Sequence, residues 1–215
     1  MSARHGGAPS TGRVVKIGGS LIDLPDLRER LGALCERLQG RPLAIVAGGG
    51  ASADLVRDWD RRFQLHEEAA HWLALRAMRL NEHLLAALLP GARVVERWEA
   101  LADAWSSQAT VILGVAPLLR AAEARGEPTP PHAWDVTSDS LAAWFAGRLG
   151  ARLVLVKSID CPDGSAEAAS ASGAVDRAFP DTASAGLAVD WVNLRAATPA
   201  PREWLAGGRG PLSGS

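Results

Sequence analysis

The chain has 215 residues, 47% of them hydrophobic, with 23 basic against 24 acidic side chains and a formal net charge of -1. That length suits one compact domain with a sheet covered on both faces, and the composition is far too apolar for a disordered chain. The charge balance gives no reason to expect nucleic acid or an anionic membrane as partner, and no run reaches the roughly 18 to 20 apolar residues of a membrane span.

Two cysteines, Cys35 and Cys161, lie far apart without a partner pattern, which argues against a disulfide framework or a zinc ribbon and fits a reducing compartment. The opening MSARHGGAPSTG lacks the apolar centre of a secretory signal, so the expected location is cytoplasmic. Residues 1–12 read as a disordered lead-in, 13–205 as a single domain and 206–215 as a flexible tail.

In chain order, the β-branched run over 13–17 reads as a strand ended by Gly18-Gly19-Ser20. Leu27, Leu31, Leu34 and Leu38 then recur at helical spacing. Residues 43–47 form an apolar run too short for a helix, hence a buried strand, ended by Gly48-Gly49-Gly50. Helical patterns cover 51–61 and 67–89, the second closed by Pro90-Gly91. Short strands are expected at 93–95 and 110–113, each followed by a helix. Pro128, Pro130 and Pro131 mark a loop leading to Thr137-Ser138-Asp139 and a helix over 140–149. A strand at 152–156, a loop rich in Ala, Ser and Gly, and a last strand at 188–192 complete the reading. This alternation predicts an α/β fold, a three-layer α/β/α sandwich on a mostly parallel sheet.

Two strands ending directly in glycine runs are the main chemical signal. Glycine lets the backbone approach a ligand and turn its N–H groups inward, and a helix starting just beyond adds its positive end. In a parallel sheet both loops emerge at the same carboxyl edge. Each loop alone is equally readable as a tight strand-to-helix turn. Neither has the spacing of a P-loop or of the dinucleotide fingerprint, so the pair carries the signal.

Lys16 stands inside the first strand, where an ammonium is costly unless it meets an anion. Thr137 or Ser138 could simply cap the following helix. Asp139 would repel phosphate unless it organises cationic groups, which is the reading adopted. His66 and His71 are five apart, not four, and His83 and His132 lack a nearby carboxylate or Cys pattern, so no protein metal site is expected. The eight tryptophans read mainly as core, with Trp72 and Trp134 as possible pocket walls.

The segments VVKIGGS, AIVAGGGASADLVR and WDVTSDSLAAWFAGRLGARLVLVKSID resemble the amino-acid kinase superfamily. Within it, His132, Trp134, the Thr137–Leu141 segment and SGAVDRAFP are most similar to the kinases of methanofuran biosynthesis, which use ATP to convert an aminomethylfuran-methyl phosphate to its diphosphate. The resemblance implies that Lys16 contacts the transferred phosphoryl group and that Gly18, Gly19 and Ser20 donate to ATP phosphates, with Lys157 and Asp160 on the ATP side. It places the acceptor against Gly48, Gly49, Gly50, Thr137 and Ser138, with Asp139 orienting the cations. ATP is then the cosubstrate and Mg²⁺ is held mainly by phosphates. A small phosphate substrate and a homo-oligomer are the implied partners.

The departures fall on the ATP side. The family's Thr-Asp-Val-Asp-Gly loop is replaced by Lys157-Ser158-Ile159-Asp160-Cys161-Pro162-Asp163-Gly164, where Pro162 removes an N–H donor. A Val-Asn-Gly-Arg turn becomes Val192-Asn193-Leu194-Arg195 without its glycine. These changes keep a second reading open: a non-catalytic kinase-fold subunit of a hetero-oligomer with a related chain.

Overall fold

A computed structural model describes residues 12–183 and 186–207; most of the expected lead-in, 1–11, and most of the expected tail, 208–215, lie outside the described residues. Seven strands form one sheet in the order β3-β4-β2-β1-β5-β6-β7. They are β1 (Arg13–Ile17), β2 (Leu43–Ala47), β3 (Arg93–Val95), β4 (Thr110–Leu113), β5 (Arg152–Lys157), β6 (Val189–Asn193) and β7 (Arg202–Leu205). All neighbours pair in parallel except β6 with β7. The helices are α1 (Leu27–Arg37), α2 (Gly50–Phe63), α3 (Glu67–Leu88), α4 (Trp98–Ser106), α5 (Val115–Ala124), α6 (Ser138–Leu149), α7 (Ala166–Ala171) and α8 (Phe179–Thr182).

The period-2 alternation of each strand builds two cores. Val14, Ala44, Val46, Leu153 and Leu155 pack against α4, α5 and α6 on one face. Val15, Ile17, Leu43, Ile45, Val154 and Val156 meet the leucines of α1 on the other. Lys16 shares parity with Val14, and Lys157 shares parity with Leu155, so both side chains leave the sheet on the α6 face. Lys16 sits opposite Leu155 in the β1–β5 register, which puts Lys157 two residues further toward the carboxyl edge.

Three expectations need correction. The helix foreseen over 140–149 starts at Ser138, because Asp176 caps it from another element: its Oδ2 accepts from the Thr137 and Ser140 amides at 2.9 and 3.0 Å. The expected structureless Ala/Ser/Gly stretch contains α7, whose N-cap Ser165 accepts from Ala168 N, and α8. The last strand is β7, an antiparallel edge strand that runs back along β6. Among the described residues no helix is long and apolar enough to cross a membrane.

Candidate functional site

At the carboxyl edge of β1 the two glycine runs touch each other. A Cβ on Gly19 would lie 2.1 Å from Gly50 N, and one on Gly48 would lie 2.4 Å from Gly19 N. Gly50, at φ +50, would put a Cβ 2.6 Å from Gly19 O. Glycine is required here first so that two backbones can meet, and only then for any ligand. The amides divide accordingly. Gly18 N–H donates to Val156 O and Gly48 N–H to Ile17 O, each at 2.8 Å. Those two residues, expected to donate to ATP and to cradle the acceptor, are buried and engaged within the sheet. Gly19, Ser20, Gly49 and Gly50 instead line a cavity of about 150 Å³.

Asn81 of α3 fixes the second loop, its Nδ2 donating to the carbonyls of Gly48 at 2.6 Å and Gly49 at 2.8 Å. The next residue, Glu82, is also buried, and its Oε1 accepts from Val115 N at 3.0 Å, capping α5. Burial pushes the Glu82 carboxyl up to about 7, against the opposing pull of the Val115 amide and Arg79. The sequence reading passed over both residues. Their signal was two polar side chains on the inward face of an apolar helix.

The charged centre lies where β1, β5 and α6 converge. Asp139, in the first turn of α6 and buried, pairs through Oδ1 with Lys16 Nζ at 3.0 Å and through Oδ2 with Lys157 Nζ at 2.7 Å. Burial alone would raise the Asp139 carboxyl; the two ammonium groups outweigh it and hold the group below its ordinary value. Lys157 is lowered to about 8, chiefly by burial and by the charge of Lys16, with Asp139 opposing. Two cations share one anion here, which leaves net positive charge at the strand ends. Asp139 is engaged by both lysines, and among the described residues no three His, Cys, Asp or Glu groups converge.

Asp176 holds α6 in place for this arrangement. Besides its two amide contacts, it accepts from Thr137 Oγ1 at 2.7 Å and from Ser140 Oγ. The Thr137 hydroxyl therefore donates to a carboxylate, while Thr137 and Ser138 also line the cavity. The rest of the wall comes from Arg57, His71, Leu75, Met78, Trp134 and Val136, among others. Trp134 is a wall residue, not core: its Nε1 donates to Asp60 Oδ2 at 2.7 Å, and the Arg57 guanidinium lies 5.2 Å from its ring. His132 does have a carboxylate partner, Glu123 Oε1, at 2.7 Å from Nε2.

On the β5 side the contacts are at the surface. Asp160 accepts from Asn193 Nδ2 at 2.8 Å, Ser20 Oγ and Ser158 Oγ lie 3.0 Å apart, and Arg195 donates to Ser20 O at 2.9 Å and to Asp23 at 2.5 Å. Arg195 thus ties the turn over residues 192–195 to the loop after β1.

Residues 12–160 match the model of the amino acid kinase family. The chain belongs to the amino acid kinase family. A curated relative, the [5-(aminomethyl)furan-3-yl]methyl phosphate kinase of Methanocaldococcus jannaschii, is 27% identical over 144 residues, which is 66% of this chain and 63% of the relative. The matched region thus spans less than two thirds of that relative. Among solved structures, uridylate kinase from Archaeoglobus fulgidus aligns with a TM-score of 0.53 at 20% identity, over 73% of this chain and 69% of the other. Aspartate kinase from Synechocystis aligns with a TM-score of 0.60 at 14% identity, over 92% of this chain and 41% of the other. At these identities the structural matches speak for the fold alone.

Proposed function

We propose that this kinase transfers the γ-phosphoryl group of ATP to a small phosphorylated acceptor, an aminomethylfuran-methyl phosphate, giving the diphosphate. The observation that carries the reading is the Lys16–Asp139–Lys157 cluster, buried beside a small cavity of mixed polar and apolar lining at the carboxyl edge of the sheet. Phosphoryl transfer asks the protein mainly for alignment and charge neutralisation, and two lysines fixed on one carboxylate supply both. An oxygen of the acceptor phosphate attacks Pγ, the bond from Pγ to the β–γ bridging oxygen breaks, and ADP leaves with that oxygen. A phosphate oxygen is already ionised near neutral pH, so no side chain has to remove a proton. Lys16 neutralises the phosphoryl group in flight, Lys157 the ATP side, and Asp139 sets their spacing. Gly49 and Gly50 line the acceptor end, and Gly19 donates to the ATP phosphates. Mg²⁺ enters with ATP, held by phosphate oxygens.

The size of the cavity supports a small acceptor: about 150 Å³ is well below the roughly 300 to 1,000 Å³ of sites for drug-sized ligands. Incubation with ATP, Mg²⁺ and the aminomethylfuran-methyl phosphate, read by mass spectrometry, should yield the diphosphate. Lys16→Ala should lower the rate by about 10³-fold or more. Folded protein that forms no diphosphate would instead favour the non-catalytic subunit.

Self-association is part of the same proposal. Leu55, Trp59 and Phe63 are exposed at i, i+4 and i+8 on α2, flanked by acids at Asp54 and Asp58 and by Arg61 and Arg62 toward the other end. Antiparallel pairing of α2 with a second copy would cover the apolar stripe and set acids against arginines. Light scattering should give a multimer that Phe63→Glu dissociates.

A further inference from the structure

One wall residue of the cavity is not used by the phosphoryl-transfer scheme. His71 is buried, its ring lies against the backbone of Ala133, and its Nε2 has no hydrogen-bond partner among the described residues. Among the described residues Nε2 is the ring nitrogen left buried without a partner. Burial and the neighbouring His132 lower His71 to about 4, opposed by Glu123 and the Ala133 contact. Near neutral pH the ring is uncharged, and a proton on Nδ1 leaves Nε2 as a bare acceptor.

The ring is flanked by aromatic neighbours. It stacks on His132 with centroids 4.7 Å apart at 17° and meets the edge of Trp72 at 5.4 Å. His132 is braced by Glu123 at 2.7 Å and lies 4.0 Å from Glu68, while the Arg120 guanidinium covers Trp72 at 4.2 Å. A buried acceptor left unmatched costs stability; Nε2 is covered in the unliganded cavity, so a ligand donor reaches it once the ring turns toward the cavity, and the bond then removes that cost.

The α3 helix also serves as a ruler. His71, Leu75 and Met78 lie at i, i+4 and i+7 on one face and all line the cavity. Asn81, ten residues beyond His71, holds the glycine loop. At the rise of an α-helix, His71 stands about 10 Å from Met78, whose side chain lies against Gly49. Leu75 and Met78 fill the interval with apolar surface.

We propose that His71 determines acceptor specificity, its Nε2 taking a hydrogen bond from an N–H or O–H group carried at the end of the acceptor remote from its phosphate. This rests on the cavity being the acceptor site, as the phosphoryl-transfer reading holds. The acceptor class is then a small phosphate with an apolar ring in the middle and a donor at the far end. An analogue lacking the donor leaves Nε2 unmatched and is discriminated against.

The test compares three furan-methyl phosphates bearing an aminomethyl, a hydroxymethyl or a methyl group, bound without ATP to the full chain and followed by calorimetry. Wild type should favour the aminomethyl or the hydroxymethyl compound over the methyl one by about 10- to 100-fold. Whichever of the two binds tighter identifies the donor. In His71→Phe, which keeps an aromatic ring against His132, the donor-to-methyl affinity ratio should fall to about 1 to 3. A second measurement needs no variant: in protein carrying ¹⁵N-histidine, the Nε2 resonance of His71 should move with the donor compounds and stay put with the methyl one.

An affinity ratio unchanged in His71→Phe, an unmoved resonance, or no binding of any compound to folded wild type would overturn the assignment. The two readings fail separately. Donor-selective binding without diphosphate formation removes the kinase proposal alone. Diphosphate formation with equal efficiency from all three compounds removes the role of His71 alone.

Discussion

On the β2 side of β1, the contacts that hold the loops come from inside the protein: Asn81 grips two glycine carbonyls, Glu82 caps α5, and both side chains are buried. On the β5 side the buried Trp191 indole donates to Ile159 O at 3.0 Å, but the other contacts are at the surface, through Asn193 to Asp160, Ser20 to Ser158, and Arg195 to Ser20 and Asp23. Buried polar contacts are costly to break because the partner is left without water, whereas exposed ones compete with solvent and contribute little. The β2 flank is therefore the more firmly preorganised of the two, and the β5 flank is the easier to rearrange. The Lys16–Asp139–Lys157 cluster is the seam between them.

Asp139→Asn strikes the seam, and the largest effect is expected there. It leaves two close ammonium groups unanswered in a buried site, so a loss of about 3 to 5 kcal/mol in urea unfolding is expected. Turnover should fall by about 10²- to 10³-fold. If instead the variant is as stable as wild type, the charges are better hydrated than their burial indicates.

The next effect is a pH dependence. The Glu82 carboxyl is raised in the folded protein to about 7, above its unfolded value, so the folded state keeps a proton that the unfolded state releases. Its contribution is full below about pH 4.5 and is lost as pH rises through 7, by about 3 kcal/mol at most. Glu82→Gln should flatten the decline in stability between pH 5 and 8, as measured by denaturant titration at each pH. A decline of the same slope in the variant would assign it to another group.

Asn81→Ala and Arg195→Ala test the comparison itself. The first abandons two carbonyls in a buried setting and should cost about 1 to 3 kcal/mol, with the KM for the acceptor rising more than that for ATP. The second removes exposed contacts and should cost no more than about 1 kcal/mol, with a few-fold rise in the KM for ATP. Equal stability losses from the two variants would erase the distinction between the flanks.

Much of the frame was legible in the sequence, because short apolar runs ending in glycine admit few readings. The elements that escaped depend on distant partners. The start of α6 is set by Asp176, 36 residues beyond the Ser140 amide that it accepts from. β7 has two exposed and two half-buried residues and becomes a strand only by pairing with β6. In the site, the argument that a carboxylate beside phosphate must organise cations anticipated the Lys16–Asp139 pair. His71, Asn81 and Glu82 were written into the helical period of α3, on the same inward face as Leu75, Met78 and Leu85. Reading the histidines for metal spacing hid that signal. The Glu123–His132 contact is set by the loop between them, which spacing alone does not reveal.

The interlocked glycines bear on how this sequence can change. With Gly19 and Gly50 back to back, and Gly48 against Gly19, neither loop can acquire a side chain at these positions while the other stays where it is. A single-step route through alanine is closed at all three positions by backbone atoms that cannot swing aside. Drift in either loop must wait for a matching change across the gap, so the two loops are inherited as a unit although 29 residues separate Gly19 from Gly48.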